Sequence, residues 1–290
     1  MAMVSDDDFV AVDQGQLYFH QSGSTENSND ILWIHGLPLN SDSWAPQLAH
    51  FDPLCRNTVF DLRGYGRSSK LPKKYDSVTS LYMDDFLKVI EHCNLKQPTI
   101  VGFASAGHAA LRFAALHPDM LNKLIIINGS PCFMTKPGWP AGFDQSALDN
   151  FLSMIDAAQT DEEIYELLID RAMNEVAGEE LTQLKQWYMQ MAKQSGRETT
   201  KAFFNNIAYD DDRDLMSQIT APTLLISSRL GQEVPSSTAI FLRQQIKNSM
   251  LYELNDIDHF AYATKSKLIN HVIEQFIFPK YEIFIPTNQE

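Results

Sequence analysis

The residues best placed to do chemistry lie in one run, Thr99-Ile100-Val101-Gly102-Phe103-Ala104-Ser105-Ala106-Gly107-His108-Ala109-Ala110. A β-branched apolar segment passes directly into small residues, which predicts a strand turning sharply into a helix. Such a turn has the shape of a nucleophile elbow, where a strained residue is exposed and the next N–H faces a developing oxyanion. Two registers are open. With Ser105 at the apex, Gly107 lies two places after it, but bulky Phe103 lies two places before, where neighbouring backbone crowds the turn. With Ala104 at the apex, Gly102 and Ala106 flank it, and Gly107 lets the helix pack closely on the sheet. The second register is preferred, because strain at the apex tolerates bulk less readily than a sequence tolerates the loss of one hydroxyl. It puts a methyl group where an attacking oxygen would stand.

The elements that must position this turn are legible on either side of it. Ile31-Leu32-Trp33-Ile34, Asn57 to Leu62, Lys123 to Ile127, Pro222 to Ile226 and Ser249 to Leu254 are short runs rich in apolar residues. Continuous runs of this kind are buried on both faces, as in a parallel sheet. Tyr82, Phe86, Val89, Ile90 and Cys93 recur at helical spacing between two of them. The alternation predicts a wound α/β sheet flanked by helices, with Phe9 to His20 as an edge hairpin turning at Asp13-Gln14-Gly15. From Phe133 to Asp212 the period changes and only helices are expected: Leu148, Phe151, Leu152 and Ile155; Ile164, Leu167 and Leu168; Leu184, Trp187, Tyr188 and Met191; Phe203, Phe204 and Ile207. Pro137, Pro140, Gly142, Gly178 and Gly196 punctuate them. The expected organisation is a core over residues 1–132, a helical lid over 133–212 and the rest of the core over 213–290. Asp210-Asp211-Asp212 is expected to be a solvated acidic loop leading to a core helix at Leu215 to Ile219.

A chain of 290 residues is long enough for a substantial core with an inserted lid. A net charge of −14 argues against nucleic acid or an anionic membrane as the main partner. Cys55, Cys93 and Cys132 have no metal-ligand spacing and make an odd count, which suits buried thiols in a reducing compartment. The acidic start, Met1 to Asp8, lacks the pattern of a secretory signal, and no apolar run has the length of a membrane span. A cytoplasmic protein without cofactor or metal is expected, and the sequon Asn128-Gly129-Ser130 is read as chance.

In order along the chain, His35-Gly36-Leu37-Pro38, Asp61-Leu62-Arg63-Gly64-Tyr65-Gly66-Arg67-Ser68, the elbow, Ala221-Pro222-Thr223-Leu224-Leu225-Ile226 and Asp258-His259-Phe260 together resemble the α/β-hydrolase superfamily. Ser130-Pro131-Cys132-Phe133 with Trp139-Pro140 is similar to the lid entry of the esterases that demethylate pimeloyl-carrier protein. The Asp61 to Ser68 loop is equally similar to carbon–carbon bond hydrolases of aromatic catabolism. The resemblance implies a serine esterase or thioesterase acting through an acyl-enzyme, with His259 as general base and the N–H groups of Leu37 and Ser105 as the oxyanion hole. Two positions depart from the family. Ala104 lacks the nucleophilic oxygen, and Gly231 stands where the family carries its aspartate. Glu233 is the nearest replacement acid, equally readable as a surface loop residue, while Asn128, at the family's other acid position, would be a neutral acceptor.

Ala104 is read first as an engineered serine-to-alanine change that leaves a chain able to bind but not turn over. The second reading is a naturally non-catalytic binding protein, and the third is a true Ser105 nucleophile. A cofactor-free dioxygenase using His259 as base is a further alternative. Phe103, Phe133 and Trp139, with Trp187, Phe203 and Phe204, are candidates to line an apolar acyl pocket, although most such residues are lid core. Lys193, Arg197 and Lys201, spaced by four, would make a basic stripe for an acidic acyl carrier protein or a carboxylate if one helix carried them; Gly196 argues for a solvated face instead.

Overall fold

The structure is a computed structural model describing residues 8–24, 29–139, 141–173, 179–207, 209–231, 233–256 and 258–279. Expectations for the acidic start up to residue 7, and for Pro140 and Gly178, lie outside the described residues.

Eight strands form one sheet in the order β1-β2-β4-β3-β5-β6-β7-β8. They are β1 (Phe9–Val12), β2 (Gly15–Gly23), β3 (Asp30–Ile34), β4 (Arg56–Phe60), β5 (Thr99–Phe103), β6 (Lys123–Ile127), β7 (Thr223–Ser228) and β8 (Ser249–Leu254). The hairpin β1–β2 and the β2–β4 pair are antiparallel, and every pair from β4 to β8 is parallel. Every residue of β3, β5 and β7 is buried, because helices cover both faces and leave no polar side.

Alternation along the strands sorts the core into two layers. Leu32, Ile34, Ile100, Leu124 and Ile126 face α2 (Val78–His92) and α3 (Ala104–Leu116), through Phe86, Val89 and Phe113. Trp33, Val101, Ile125 and Ile127 face α1 (Ala45–Phe51) and α10 (Ser266–Ile277), through Phe51, Ile269 and Ile273. Full burial of one such side chain stabilises by roughly 1.5–3 kcal/mol. α8 (Ser236–Gln245) and the single turn α9 (Ala261–Thr264) complete the core helices.

Between β6 and β7 run α4 (Gln145–Ala157), α5 (Asp161–Ala172), α6 (Glu179–Ala192) and α7 (Arg197–Ile207). Polar caps start two of them: Asp144 accepts from the Ala147 N–H and Thr160 from the Glu163 N–H. Phe133, Leu148, Ile155, Ile164 and Phe204 cluster with Val234 from beyond β7, while Ile169, Met173, Tyr188 and Met191 join the layer of α1 and α10.

Of the two readings of charged residues, the break at Gly196 holds and the solvated acidic loop is corrected. α6 ends at Ala192 and α7 begins at Arg197, so Lys193, Arg197 and Lys201 do not share a helix. Each is paired, with Glu162 at 2.6 Å, Asp161 at 3.1 Å and Asp156 at 2.6 Å; acidic neighbours neutralise the stripe. The Asp210 to Asp212 run is not uniformly solvated, since Asp210 and Asp212 are buried. It leads into a 3-10 turn, Arg213–Gln218, in place of a core helix.

Candidate active site

The elbow forms because the backbone has room for it. Ala104 has φ +48° at the end of β5, a left-handed conformation costing on the order of 1–3 kcal/mol for a residue with a Cβ. Close packing around the turn holds it. A Cβ on Gly102 would stand 2.9 Å from the Ala110 Cβ and 3.1 Å from the Gly107 Cα, and one on Gly107 would stand 3.0 Å from the Gly129 Cα. Ala104 is therefore the strained residue of the turn, and Ser105 is the second residue of α3.

The loop after β3 runs against this turn. A Cβ on Gly36 would lie 2.9 Å from the Phe103 carbonyl and 3.3 Å from the Ala104 Cβ. His35 sets the loop's path, its Nε2 accepting from the Leu62 N–H at 3.0 Å while Nδ1 lies 3.2 Å from the Gly36 carbonyl. Burial drives its pKa down to about 4, so the neutral ring holds both contacts at neutral pH. The next residue, Leu37, donates its N–H to Ser105 Oγ at 3.0 Å.

His259 follows β8, its ring 5.0 Å from that of Phe103 and 5.5 Å from that of Phe260, centre to centre. Burial pulls its pKa below the usual histidine value, and the charges of Glu233 and Asp258 only partly oppose this. The ring is thus neutral near pH 7, the state a proton acceptor needs. Asn128, itself at φ +47°, ties the loops together. Its Nδ2 donates to the His259 carbonyl at 2.9 Å and its Oδ1 accepts from the Ser228 N–H at 2.9 Å. It anchors the histidine's backbone and does not orient the ring. Asp258 is turned elsewhere, accepting from the Phe260 N–H and from the side chains of Thr264 and Lys265.

A cleft of about 570 Å³ lies between these parts, lined by Leu37, Ala104, Ser105, Phe133, Glu233 and His259 among others. A smaller pocket beside it shares Phe143, Leu168, Phe204 and Glu233 with the cleft and continues to Leu148 and Phe151. Glu233 and His259 thus share a cleft, while Gly231 offers no carboxylate. The Gly231 N–H closes a turn onto the Ser228 carbonyl at 3.0 Å, and a Cβ there would lie 3.0 Å from the same oxygen.

The candidate substrate residues separate. Phe133 lines the cleft, as do Phe203 and Phe204. Phe103 does not: it is fully buried, its ring packed against His259, Phe260 and Tyr262. Trp139 is corrected too, since its ring lies on Phe241 and its Nε1 donates to the Cys132 carbonyl at 3.1 Å, outside the cleft. Trp187 stacks on Tyr188. Val234, Phe143 and Leu168 line the cleft without having been singled out, because an apolar residue in a helical or loop pattern carries no sign of which cavity it faces.

A buried ionic network ties α3 to the end of the insertion. One Asp212 oxygen lies 2.6 Å from both His108 Nε2 and Arg112 Nε, and Arg112 Nη2 reaches Asp210 at 3.1 Å. Thr79 donates to Asp210 at 2.6 Å. Burial pushes the Asp212 pKa up, but the bonds from His108 and Arg112 outweigh it and hold the carboxyl below its ordinary value. Among the described residues, no group of three or more His, Cys, Asp and Glu side chains converges for a metal ion.

The profile of the alpha/beta hydrolase fold matches residues 30–266. The chain is 28% identical to AB hydrolase superfamily protein YisY of Bacillus subtilis, covering 85% of this chain and 90% of that one. It is 26% identical to a pimeloyl-[acyl-carrier protein] methyl ester esterase of Aeromonas hydrophila, covering 86% and 95%. An esterase structure from Exiguobacterium antarcticum superposes with a TM-score of 0.84 at 22% identity, over 93% of this chain and 98% of that one.

Proposed function

The chain belongs to the α/β-hydrolase family, and from that premise we propose that its cleft binds a carboxylic ester or thioester with its acyl carbon at Ala104. In a form with serine at 104, the hydroxyl attacks that carbon while His259 takes its proton. The oxyanion is received by the N–H groups of Leu37 and Ser105, donors of a kind that contribute on the order of 3 kcal/mol each. The protonated His259 returns its proton to the leaving oxygen or sulfur, and water then releases the acid from the acyl-enzyme by the same route reversed. With alanine at 104 the first bond cannot form, so the chain binds and does not turn over.

The observation that carries this reading is Ala104 at positive φ facing the same cleft as the neutral His259. Glu233 is the proposed acid. The helices over residues 133–212 act as the lid, and the apolar lining contributed by Phe133, Phe203 and Phe204 favours an acyl substrate. A carrier-linked methyl ester enters through the names of relatives such as the Aeromonas esterase; the acidic partners of Lys193, Arg197 and Lys201 favour a small ester instead. Three buried free cysteines support a reducing, cytoplasmic setting.

A ligand-binding protein without catalysis is the second reading, favoured by the joint lack of a hydroxyl at 104 and a carboxylate at 231. Hydrolysis of p-nitrophenyl esters of graded chain length by Ala104→Ser separates the two. A gain that disappears when His259→Ala is added supports the hydrolase, and no gain on any ester supports the binding protein.

A further inference from the structure

We infer that the Ser105 hydroxyl is a built-in occupant of the oxyanion hole, controlling access of an acyl or carboxylate oxygen to the cleft. The inference rests on the reading of Ala104 as the elbow apex. The Leu37 N–H donates to Ser105 Oγ at 3.0 Å. A backbone N–H carries one proton, so while this bond stands Leu37 has none to offer a ligand. Ser105 and Leu37 both line the cleft, with Ala104 and His259, so their contact stands at the cleft wall. The oxygen of a bound carbonyl belongs about 3 Å from a hole donor, which is where Ser105 Oγ already lies.

The same contact argues against Ser105 as a nucleophile. Its oxygen is held by one of the donors that the oxyanion would need, and a serine cannot both attack and fill the hole. For a ligand to enter, Ser105 must rotate to another staggered χ1 well. The hydroxyl then loses its bond to Leu37, and the incoming oxygen must replace it. An ionised carboxylate accepts a stronger bond than a neutral ester carbonyl, so it is the better competitor. The chain as it stands is therefore matched to a monocarboxylate with an apolar tail.

The test is calorimetric titration with butyrate of the unmodified chain, Ser105→Ala and Ser105→Thr. Removing the hydroxyl is expected to tighten binding about tenfold, the equivalent of a 1.4 kcal/mol bond, while threonine binds as serine does. In the Ser105→Ala protein alone, the Leu37 amide proton resonance is expected to move strongly with butyrate. Equal, weaker or absent binding in Ser105→Ala overturns the inference and makes the hydroxyl a donor or a bystander. The hydrolase reading is judged separately: Ala104→Ser/Ser105→Ala should exceed Ala104→Ser in kcat/KM by a similar factor. If neither hydrolyses esters but butyrate still binds more tightly to Ser105→Ala, the hydrolase reading falls and the occupant stands.

Discussion

Replacing Asp212 by asparagine should destabilise the protein by about 2–3 kcal/mol, although its sequence context suggests a solvated loop. The carboxylate receives two bonds at 2.6 Å, from His108 and Arg112, and its side chain is only 7% exposed. Hydrogen bonds to charged groups contribute roughly 1.5–3 kcal/mol each, and removing one partner of a buried pair costs roughly 3–5 kcal/mol. Asparagine keeps the shape and one acceptor, and Arg112 keeps Asp210 at 3.1 Å, which brings the expected loss to the lower end. The sign with pH follows from the depressed carboxyl pKa. The contribution is present above the ordinary value of 3.8 and is lost as pH falls through the lower folded value. Urea unfolding at pH 7 gives the loss directly, with exposed Asp119→Asn as the control expected within about 0.5 kcal/mol. A thermal midpoint lowered by about 5 °C or more would agree. A loss for Asp212→Asn no larger than the control's would mean that the bonds to His108 and Arg112 do not hold the loop, and would return it to solvent.

Other consequences can be checked alongside it. His35 has a folded pKa of about 4 against 6.5 unfolded, so its contribution, about 3 kcal/mol at most, is complete above pH 6.5 and lost between 6.5 and 4. Asp85, raised to about 6 by burial, acts in the opposite direction over much of that range. The informative quantity is therefore the difference from His35→Gln, whose urea stability should fall less between pH 6.5 and 4; parallel curves would contradict the assignment. In Ala104→Ser, kcat/KM should rise with pH and level off with a midpoint below 6.5, because burial lowers the His259 pKa; a midpoint at 7 or above would contradict it. Phe204 lines both the cleft and the smaller pocket beside it, so Phe204→Ala in the Ala104→Ser form should move the preferred acyl chain to greater length. An unchanged preference would place the acyl tail elsewhere.

Much of the core was legible because its signals are local. Apolar runs mark strands buried on both faces, and Gly102 and Gly107 mark a turn whose packing leaves little room for a Cβ. What was not legible depends on partners distant in sequence. Asp210-Asp211-Asp212 reads as solvated until His108 and Arg112, 104 and 100 residues upstream of Asp212, are folded onto it. For Lys193, Arg197 and Lys201 the break at Gly196 was legible, but not the acids of α4 and α5 that pair with them. Phe103 and Trp139 are apolar and near the elbow or the lid entry in sequence, but residue type does not say which side of a turn a ring takes. The bond between Leu37 and Ser105 joins the loop after β3 to the first turn of α3, 68 residues on, and only its endpoints were visible.

Position 104 is proposed as the nucleophile position of a site whose base is His259. Intact-mass spectrometry of Ala104→Ser after incubation with p-nitrophenyl butyrate, quenched in acid, reads the acyl-enzyme itself. One butyryl adduct mapping to residue 104 is expected, absent from the unmodified chain and strongly diminished when His259→Ala is added. No adduct under any condition, or an adduct on Ser105 in the unmodified chain, would contradict that assignment.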